Sequence, residues 1–501
     1  MLNNGNSKIT SEGDHNSVNA DLLYRKKLKK KGRTISVDFT ENYTAINSTG
    51  YLFSQNNFFT HDTLSLAQIT DQYKIINSKT QAINTNATYT EPLSVASSVI
   101  INYGIQTNNS TALKNSYNRS QSGKYDSLDN LYSNDYTFNT FTQKGGAFYS
   151  LVKKKFRFYA GSNVGFSNFS QKDLYADTTE KRNFVNWYPH SNINYQFSGQ
   201  SSLYFNYNGQ TTQPTLQQIQ PVRNNDDPLN INVGNGALKP SFQNTFNLNY
   251  YSFKALTNKN LYARMSYSFN ENAISTNSFT DSIGRRITQY INVHGNYSLS
   301  AYMDYGFKWK KPDIGFNLNG AFNQNRNVSV VNAQQNITNS SNYTFGVYVG
   351  KYKEKVLDCS FRANATYTTS TSSIQTNIST KYWSYELAPN LDFFLPLKMQ
   401  VHADLDYNFR EKTSAFDNNT NVALLNAWFG KKLLKKDQLL IKISGNDILN
   451  QNKGINRNVS SNFISQTTNS TIQRYFMLSF VWNFTKAGGA APVNNGMIIV
   501  N

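Results

Sequence analysis

Tyr297, Leu299, Ala301, Met303, Tyr305, Phe307 and Trp309 alternate with Ser298, Ser300, Tyr302, Asp304, Gly306 and Lys308. Successive side chains of a β-strand point to opposite faces, so this pattern predicts a strand with one apolar and one mostly polar face. Three other segments repeat the alternation. They place on the apolar face Leu261, Ala263, Met265, Tyr267 and Phe269; Leu357, Cys359, Phe361, Ala363, Ala365 and Tyr367; and Met399, Val401, Ala403, Leu405, Tyr407 and Phe409. Soluble strands usually end after about five or six residues. The segments 297–309 and 399–410 run far past that, a length suited to a tilted strand with ~9–11 residues in a bilayer. Aromatic residues gather at strand ends, as at Tyr305, Phe307 and Trp309 or Phe480, Trp482 and Phe484, which is where an interfacial girdle sits.

The connections alternate short and long. Short turns are expected near 28–32, 90–93, 152–155, 198–201, 254–260, 309–313, 351–355, 394–398 and 430–438, several of them marked by Gly, Pro or charge. Long stretches rich in Asn, Ser, Thr and Gly are expected as loops near 48–76, 107–133, 171–182, 213–241, 271–295, 327–341, 370–378, 413–419 and 450–470. Outer-membrane barrels divide periplasmic turns from extracellular loops in this way. Nine hairpins and a last strand near 471–484 predict an all-β, large antiparallel transmembrane β-barrel of about 19–22 strands. An odd count with a first strand entering a short turn leads us to expect incompleteness at the N-terminus. The expected layout is a polar N-terminal segment at 1–17 read as a truncated loop, the barrel at 18–484 and a C-terminal tail at 485–501.

Composition agrees with a membrane-inserted sheet. Tyr and Phe each occur 33 times and charged residues make up 16% of the chain, below the roughly 25% of soluble domains. No run approaches the ~20 apolar residues of a helical span, and a closed sheet is the other structure that pairs every backbone group in lipid. The net charge of +19 sits at turns, at 26–33, 153–155, 308–311, 351–355 and 431–436, instead of gathering on one element, so a nucleic-acid partner is not expected. The single Cys359 excludes an intrachain disulfide and lies on an apolar face as a packed or lipid-facing thiol. Residues 1–20 lack the basic, apolar and small-residue regions of an export signal, so an exported form is expected to carry its signal on sequence not present here.

Chemistry-bearing motifs are absent from the sequence: it has no phosphate-binding glycine loop, zinc spacing or nucleophile elbow in a suitable context, so we expect no enzyme, no cofactor and no metal. His15, His61, His190, His294 and His402 are scattered, whereas metal ligands cluster. His402, beside Asp404 and Asp406 on a polar face, is the best placed of them, and a hydrated wall is its plainer role. Arg264, Asp304, Arg362, Asp404, Asp406 and Arg410 also fall on polar faces, lining either an aqueous interior or the seat of a plug. Gln213, Gln217, Gln218 and Gln220 in the long segment 213–241 are candidate contacts for a polar ligand such as a sugar or peptide.

Pro221, Val222, Arg223, Asn224, Asn225, Asp226, Asp227 and Pro228, followed by Gly234, Asn235, Gly236, Ala237, Leu238, Lys239 and Pro240, form one distinctive loop element. Phe476, Leu478, Phe480, Trp482 and Phe484 share one face of the last strand. Both resemble the TonB-dependent receptor superfamily, in the form of the large outer-membrane β-barrel proteins of Bacteroidetes-type bacteria. The loop is similar to the receptors' glycine-asparagine-proline and leucine-lysine-proline-glutamate element, with Gly236 in place of the usual proline and Ser241 in place of the glutamate. Asn235, Leu238, Lys239 and Pro240 carry that match. The last strand is similar to the closing strand read by the barrel assembly machinery, although 485–501 continues past the aromatic that usually ends it. The resemblance implies the barrel of a nutrient transporter in the Gram-negative outer membrane, here without signal peptide and plug. It also implies contact with outer-membrane lipid, an extracellular small ligand, and TonB only where a plug is present. A passive porin or a surface-exposed binding scaffold is the alternative.

Overall fold

The computed structural model describes residues 3–60, 63–219, 229–282, 284–374, 376, 380–412, 421–434, 437–460 and 463–483. Its strands, in chain order, begin with β1 (Asn3–Lys27), β2 (Thr34–Thr60), β3 (Thr63–Pro92), β4 (Ser97–Arg119), β5 (Tyr125–Leu128), β6 (Asn134–Val152), β7 (Phe156–Asp173), β8 (Thr178–Ser198) and β9 (Ser201–Thr212). Next come β10 (Asn230–Val233), β11 (Ser241–Lys254), β12 (Lys259–Glu271), β13 (Ala273–Thr280), β14 (Arg286–Val293), β15 (Asn296–Trp309), β16 (Ile314–Val331) and β17 (Gln334–Lys353). The series ends with β18 (Leu357–Ser372), β19 (Thr380–Leu395), β20 (Met399–Arg410), β21 (Val422–Leu433), β22 (Leu439–Asn446), β23 (Ile455–Ser460), β24 (Phe463–Thr468) and β25 (Tyr475–Trp482). All but the β23–β24 hairpin belong to one sheet of 23 strands.

Nineteen of them form an antiparallel meander, each laddered to the next: β1 to β4, β6 to β9, β11, β12, β15 to β22 and β25. The remaining short strands belong to the long-loop end. Among the described residues no ladder joins β1 to β25, and with nineteen strands in alternating directions those two edges run the same way. The nine connections at the short-turn end lie within a few residues of the turns expected from the sequence. Gly32 takes φ +85° in the first, and Asp313, Lys355, Leu397 and Asp437 take positive φ in later ones.

Register carries two faces across the sheet. Ile35 lies opposite Tyr89, Tyr89 opposite Ile101 and Ile101 opposite Ala147; further on, Phe246, Tyr267 and Leu299 are opposed in turn. On this face large apolar side chains stay accessible, among them Phe166 at 61%, Met303 at 51% and Phe480 at 65%. A contiguous apolar face of such extent would aggregate in water, so a bilayer must cover it. Cys359 lies on it, opposite Leu391. At the short-turn rim of the same face the aromatics pack together: Phe307 stacks on Phe316 at 5.2 Å, Trp309 meets Phe316 edge-on at 5.4 Å, and Tyr195 meets Phe197 at 4.9 Å. Such a girdle marks a membrane interface.

Of the segment 1–17, expected as a truncated loop, the described residues 3–17 are the outer part of β1, which pairs with β2 from Asn3 opposite Phe58 to Lys27 opposite Thr34. Most of the expected loops 48–76 and 327–341 are likewise strand: β2 and β3 run to Thr60 and from Thr63, and β16 turns into β17 through Asn332 and Ala333, at φ 49° and 65°. The reason is that a backbone ladder needs no apolar face. Above the lipid both sides meet water or other loops, and residues polar on both faces leave no alternation to read.

At the short-turn rim, beyond the apolar band, Glu91 accepts hydrogen bonds from Arg33 Nε at 2.7 Å, Lys30 Nζ at 2.6 Å and the Tyr89 hydroxyl at 2.6 Å. The Arg33 guanidinium first, then Lys30 and Tyr89, hold its carboxyl well below the usual carboxylate range. A depressed folded-state pKa gives stability that is present above the unfolded carboxyl's pKa and is lost as pH falls through the folded one. Glu91→Gln is therefore expected to lower the urea midpoint of the refolded protein near neutral pH, with the gap to wild type closing in strong acid. An unchanged gap across that range would show that the clamp contributes nothing through its charge.

Candidate functional site

The face opposite the apolar one carries the charges predicted for it. Arg264, Asp304, Arg362, Asp404, Asp406 and Arg410 each fall one residue out of step with the apolar positions of their strands. His402 is brought together with two carboxylates: Nδ1 lies 3.1 Å from Asp392 Oδ1 and Nε2 lies 3.1 Å from Asp404 Oδ1. Gln400 donates to Asp392 at 3.0 Å and Asn426 to Asp404 at 2.9 Å. Trp428 stacks on the imidazole at 5.5 Å, and Lys442 Nζ lies 5.2 Å from the Trp428 ring centre. Each polar member is thus paired, and among the described residues no group of three or more His, Cys, Asp and Glu could hold a metal ion. The cluster is a satisfied stretch of polar wall.

At the long-loop end this face is covered. Phe138 and Phe169 meet edge-on at 4.6 Å, and with Phe184 they make an aromatic socket on the polar side of β6, β7 and β8. Ile219, at the end of the helical turn Leu216–Ile219, and Leu238 fill that socket, with Ile274 and Tyr290 packed behind them. Leu238 is 3% exposed. A polar ladder pins the same loop: Thr142 and Ser167 hydroxyls lie 2.6 Å apart, Asn186 donates to Ser167 at 2.8 Å, and Gln213 donates to Asn186 at 3.3 Å. Gln218 is likewise engaged, its Oε1 accepting from the Thr215 backbone N–H at 2.9 Å. The glutamines expected to meet a ligand therefore tie down their own loop at Gln213 and Gln218, while Gln220 and Pro221 to Pro228 lie outside the described residues.

The loop element around Asn235 closes the same assembly. Asn235 Nδ2 donates to the Tyr290 carbonyl at 2.8 Å, and its Oδ1 accepts from the Ala237 N–H at 2.9 Å. Asn292 bridges the next residues: its Oδ1 accepts from the Lys239 N–H at 2.8 Å and its Nδ2 donates to the Lys239 carbonyl at 2.9 Å. Pro240 then leads directly into β11. Tyr290 and Asn292 belong to β14, which bends out of β15 at Gly295, where φ is +94° and a side chain would be strained. The β13–β14 hairpin crosses above the wall, β13 lying parallel to β16 and β14 parallel to β10. Ala273, Val293 and Val328 seal that crossing as a second buried cluster. Asn3 of β1 donates to the Gly284 carbonyl of the hairpin tip at 3.5 Å, so the loop structure reaches residues far along the sheet. The polar face is therefore the enclosed one.

The sequence profile of the outer membrane protein beta-barrel family matches residues 26–334 and 317–482. The chain belongs to that family. It is an outer-membrane protein that crosses the bilayer many times with strands, and the polar face is its lumen wall. Among solved structures it is similar to the copper transporter OprC, at 8% identity over 95% of this chain and 83% of that one with a TM-score of 0.42. It is similar to the ferric citrate transporter FecA at 10% identity over 90% of this chain, TM-score 0.44, and spans 61% of FecA's length. The FrpB iron transporter from Neisseria meningitidis matches at 8% identity over 95% of this chain and 81% of its own, TM-score 0.40. No curated protein matches.

The last strand carries the residues expected as an assembly signal. Phe476, Leu478, Phe480 and Trp482 lie on the lipid side of β25, opposite Gly445, Ile443, Ile441 and Leu439 of β22, while Phe484 lies outside the described residues. The aromatic socket is what residue patterns miss. Its signal is present, since Phe138, Phe169 and Phe184 are aromatics out of phase with the apolar face near the long-loop ends of their strands.

Proposed function

We propose that the protein is the barrel of a TonB-dependent receptor-like transporter, which takes an extracellular small ligand into a polar lumen. The observation that carries this reading is the loop seated by Ile219 and Leu238 in the socket of Phe138, Phe169 and Phe184 over a charged lumen wall. A passive porin needs a standing opening, and a display scaffold needs no charged wall beneath its loops. Uptake driven through TonB belongs to this reading where a plug domain accompanies the barrel, and no catalysis is assigned to it. The further partners are outer-membrane lipid and the barrel assembly machinery.

Two measurements test it. Purified protein in planar bilayers is expected to show conductance far below that of an open pore of this strand number, and a large stable conductance would favour the porin instead. Assembly is expected to depend on the lipid face of β25, where Phe480 is 65% and Trp482 53% exposed. Replacing Phe480, Trp482 and Phe484 together by Ser is expected to abolish recovery in the outer-membrane fraction; normal insertion of that variant would remove these residues from the assembly signal.

A further inference from the structure

Strands β18, β19 and β20 enclose a second feature of the lumen wall, a polar pocket of about 320 Å³. Register brings Asn364, Glu386 and Asn408 into one row across the three strands and Thr366, Ser384 and Arg410 into the next. All six face the lumen. Glu386 accepts from Arg362 Nη2 at 3.2 Å and from Asn364 Nδ2 at 3.0 Å. Both partners of the Arg362–Glu386 pair are more than a third exposed, so the pair is weak and its carboxylate remains open to another cation. The Arg410 guanidinium lies 4.1 Å from the Tyr382 ring centre, and among the described residues no carboxylate pairs with it. Placed over the Tyr382 ring, the guanidinium keeps its forked donors for an anion.

We infer that this pocket binds a small zwitterion of the amino-acid and short-peptide class, with Arg410 taking the carboxylate and Glu386 the ammonium. The two charges stand on diagonal positions of adjacent strands, because Ser384 opposes Arg410 and Glu386 lies two residues on. Diagonal neighbours have Cα atoms about 7–8 Å apart, a span that a ligand with both charges near each other bridges through two long side chains. Thr366, Ser384, Asn364 and Asn408 supply hydroxyl and amide groups of both donor and acceptor character, which suits the peptide bond between them. A neutral sugar would leave the Arg410 guanidinium without a counter-charge among the described residues.

The inference deepens the transporter reading and rests on it for its biological meaning, but binding is measured without transport. Equilibrium dialysis of the full chain in detergent micelles against radiolabelled L-alanyl-L-alanine is expected to show saturable retention, weakened by added salt. The blocked N-acetyl-L-alanyl-L-alanine amide and maltotriose are expected not to be retained. Arg410→Gln is expected to reduce affinity roughly tenfold or more, the loss typical of a charge-assisted contact. Glu386→Gln should weaken it less, and Arg410→Lys should recover part of the loss by keeping the charge without the fork. Heat-modifiable gel mobility checks that each variant is folded. Absence of saturable dipeptide retention, retention unchanged in folded Arg410→Gln, or equal retention of maltotriose would overturn the assignment. Loss of dipeptide binding by a chain that still fractionates with the outer membrane and conducts poorly would sink the ligand and leave the transporter reading standing.

Discussion

Met303→Arg is expected to destabilise the folded, membrane-inserted form by about 2–4 kcal/mol, whereas Ser300→Arg on the same strand is expected to leave its stability nearly unchanged. Met303 stands near the middle of β15, on the lipid face and 51% exposed, opposite Ala263 on one side and Gly320 on the other. A guanidinium there has no pairing group within the apolar band and must be carried into hydrocarbon. Lipid-facing Arg at the bilayer midplane costs about 2–4 kcal/mol in barrels of this kind. That is a large share of the roughly 5–15 kcal/mol that holds a folded protein together. Ser300 points to the lumen, opposite Ser266 and Asn323, where water and neutral polar neighbours solvate a cation. Refolding into lipid followed by urea titration, with folded and unfolded forms separated by gel mobility, distinguishes the two. Equal effects at both positions would mean that the face assigned to lipid is wrong, and with it the inside and outside of every strand linked to β15 by register.

That contrast is legible in the amino-acid sequence alone, since it rests on the seven alternating positions of 297–309. The short turns are legible for the same kind of reason: the residues that reverse a chain tightly are few and chemically distinct, as Gly32 or Pro312 with Asp313 show. What lies above the membrane is not. Gly50 to Phe58, a stretch whose composition suggests a loop, pairs residue for residue with both β1 and β3, and its buried side chains include Leu52, Ser54, Asn56 and Phe58. Alternation of Leu and Phe with Ser and Asn on a single buried face does not register as amphipathic, because the enclosed side of the mouth is itself polar. The site is half legible. Charges such as Arg410 and Asp404 can be put on the lumen wall from parity alone, yet their grouping with Glu386, Asp392 and Trp428 depends on strand register, which parity does not supply. Gln213 and Gln218 look the same in sequence whether they meet a ligand or their own loop.

Leu238→Ala and Asn235→Ala are each expected to release the loop 229–240 from the mouth without disturbing the wall. Leu238 is buried among Phe169 and Ile219, with Phe138 and Phe184 behind, and removing a buried leucine side chain costs about 2–5 kcal/mol where the site cannot collapse. The socket is part of a rigid wall and cannot follow a smaller side chain inward. Asn235 acts by polar means: its loss leaves the part-buried Tyr290 carbonyl without the partner it has at 2.8 Å, at a cost of up to about 1–3 kcal/mol, while the exposed Ala237 N–H, now held at 2.9 Å, turns to water. Hydrogen exchange read by mass spectrometry is expected to show faster exchange over 229–240 and over β14 in either variant, and unchanged protection of the β11–β12 ladder. Because both residues hold one loop, the double variant should lose less than the two single losses added together. The same release has a functional consequence, because a loop that constricts the lumen must widen it when freed: bilayer conductance should rise in Leu238→Ala in step with the exchange rate. Faster exchange with no change in conductance would keep the anchor and deny the constriction, and the lumen would then have to be closed elsewhere.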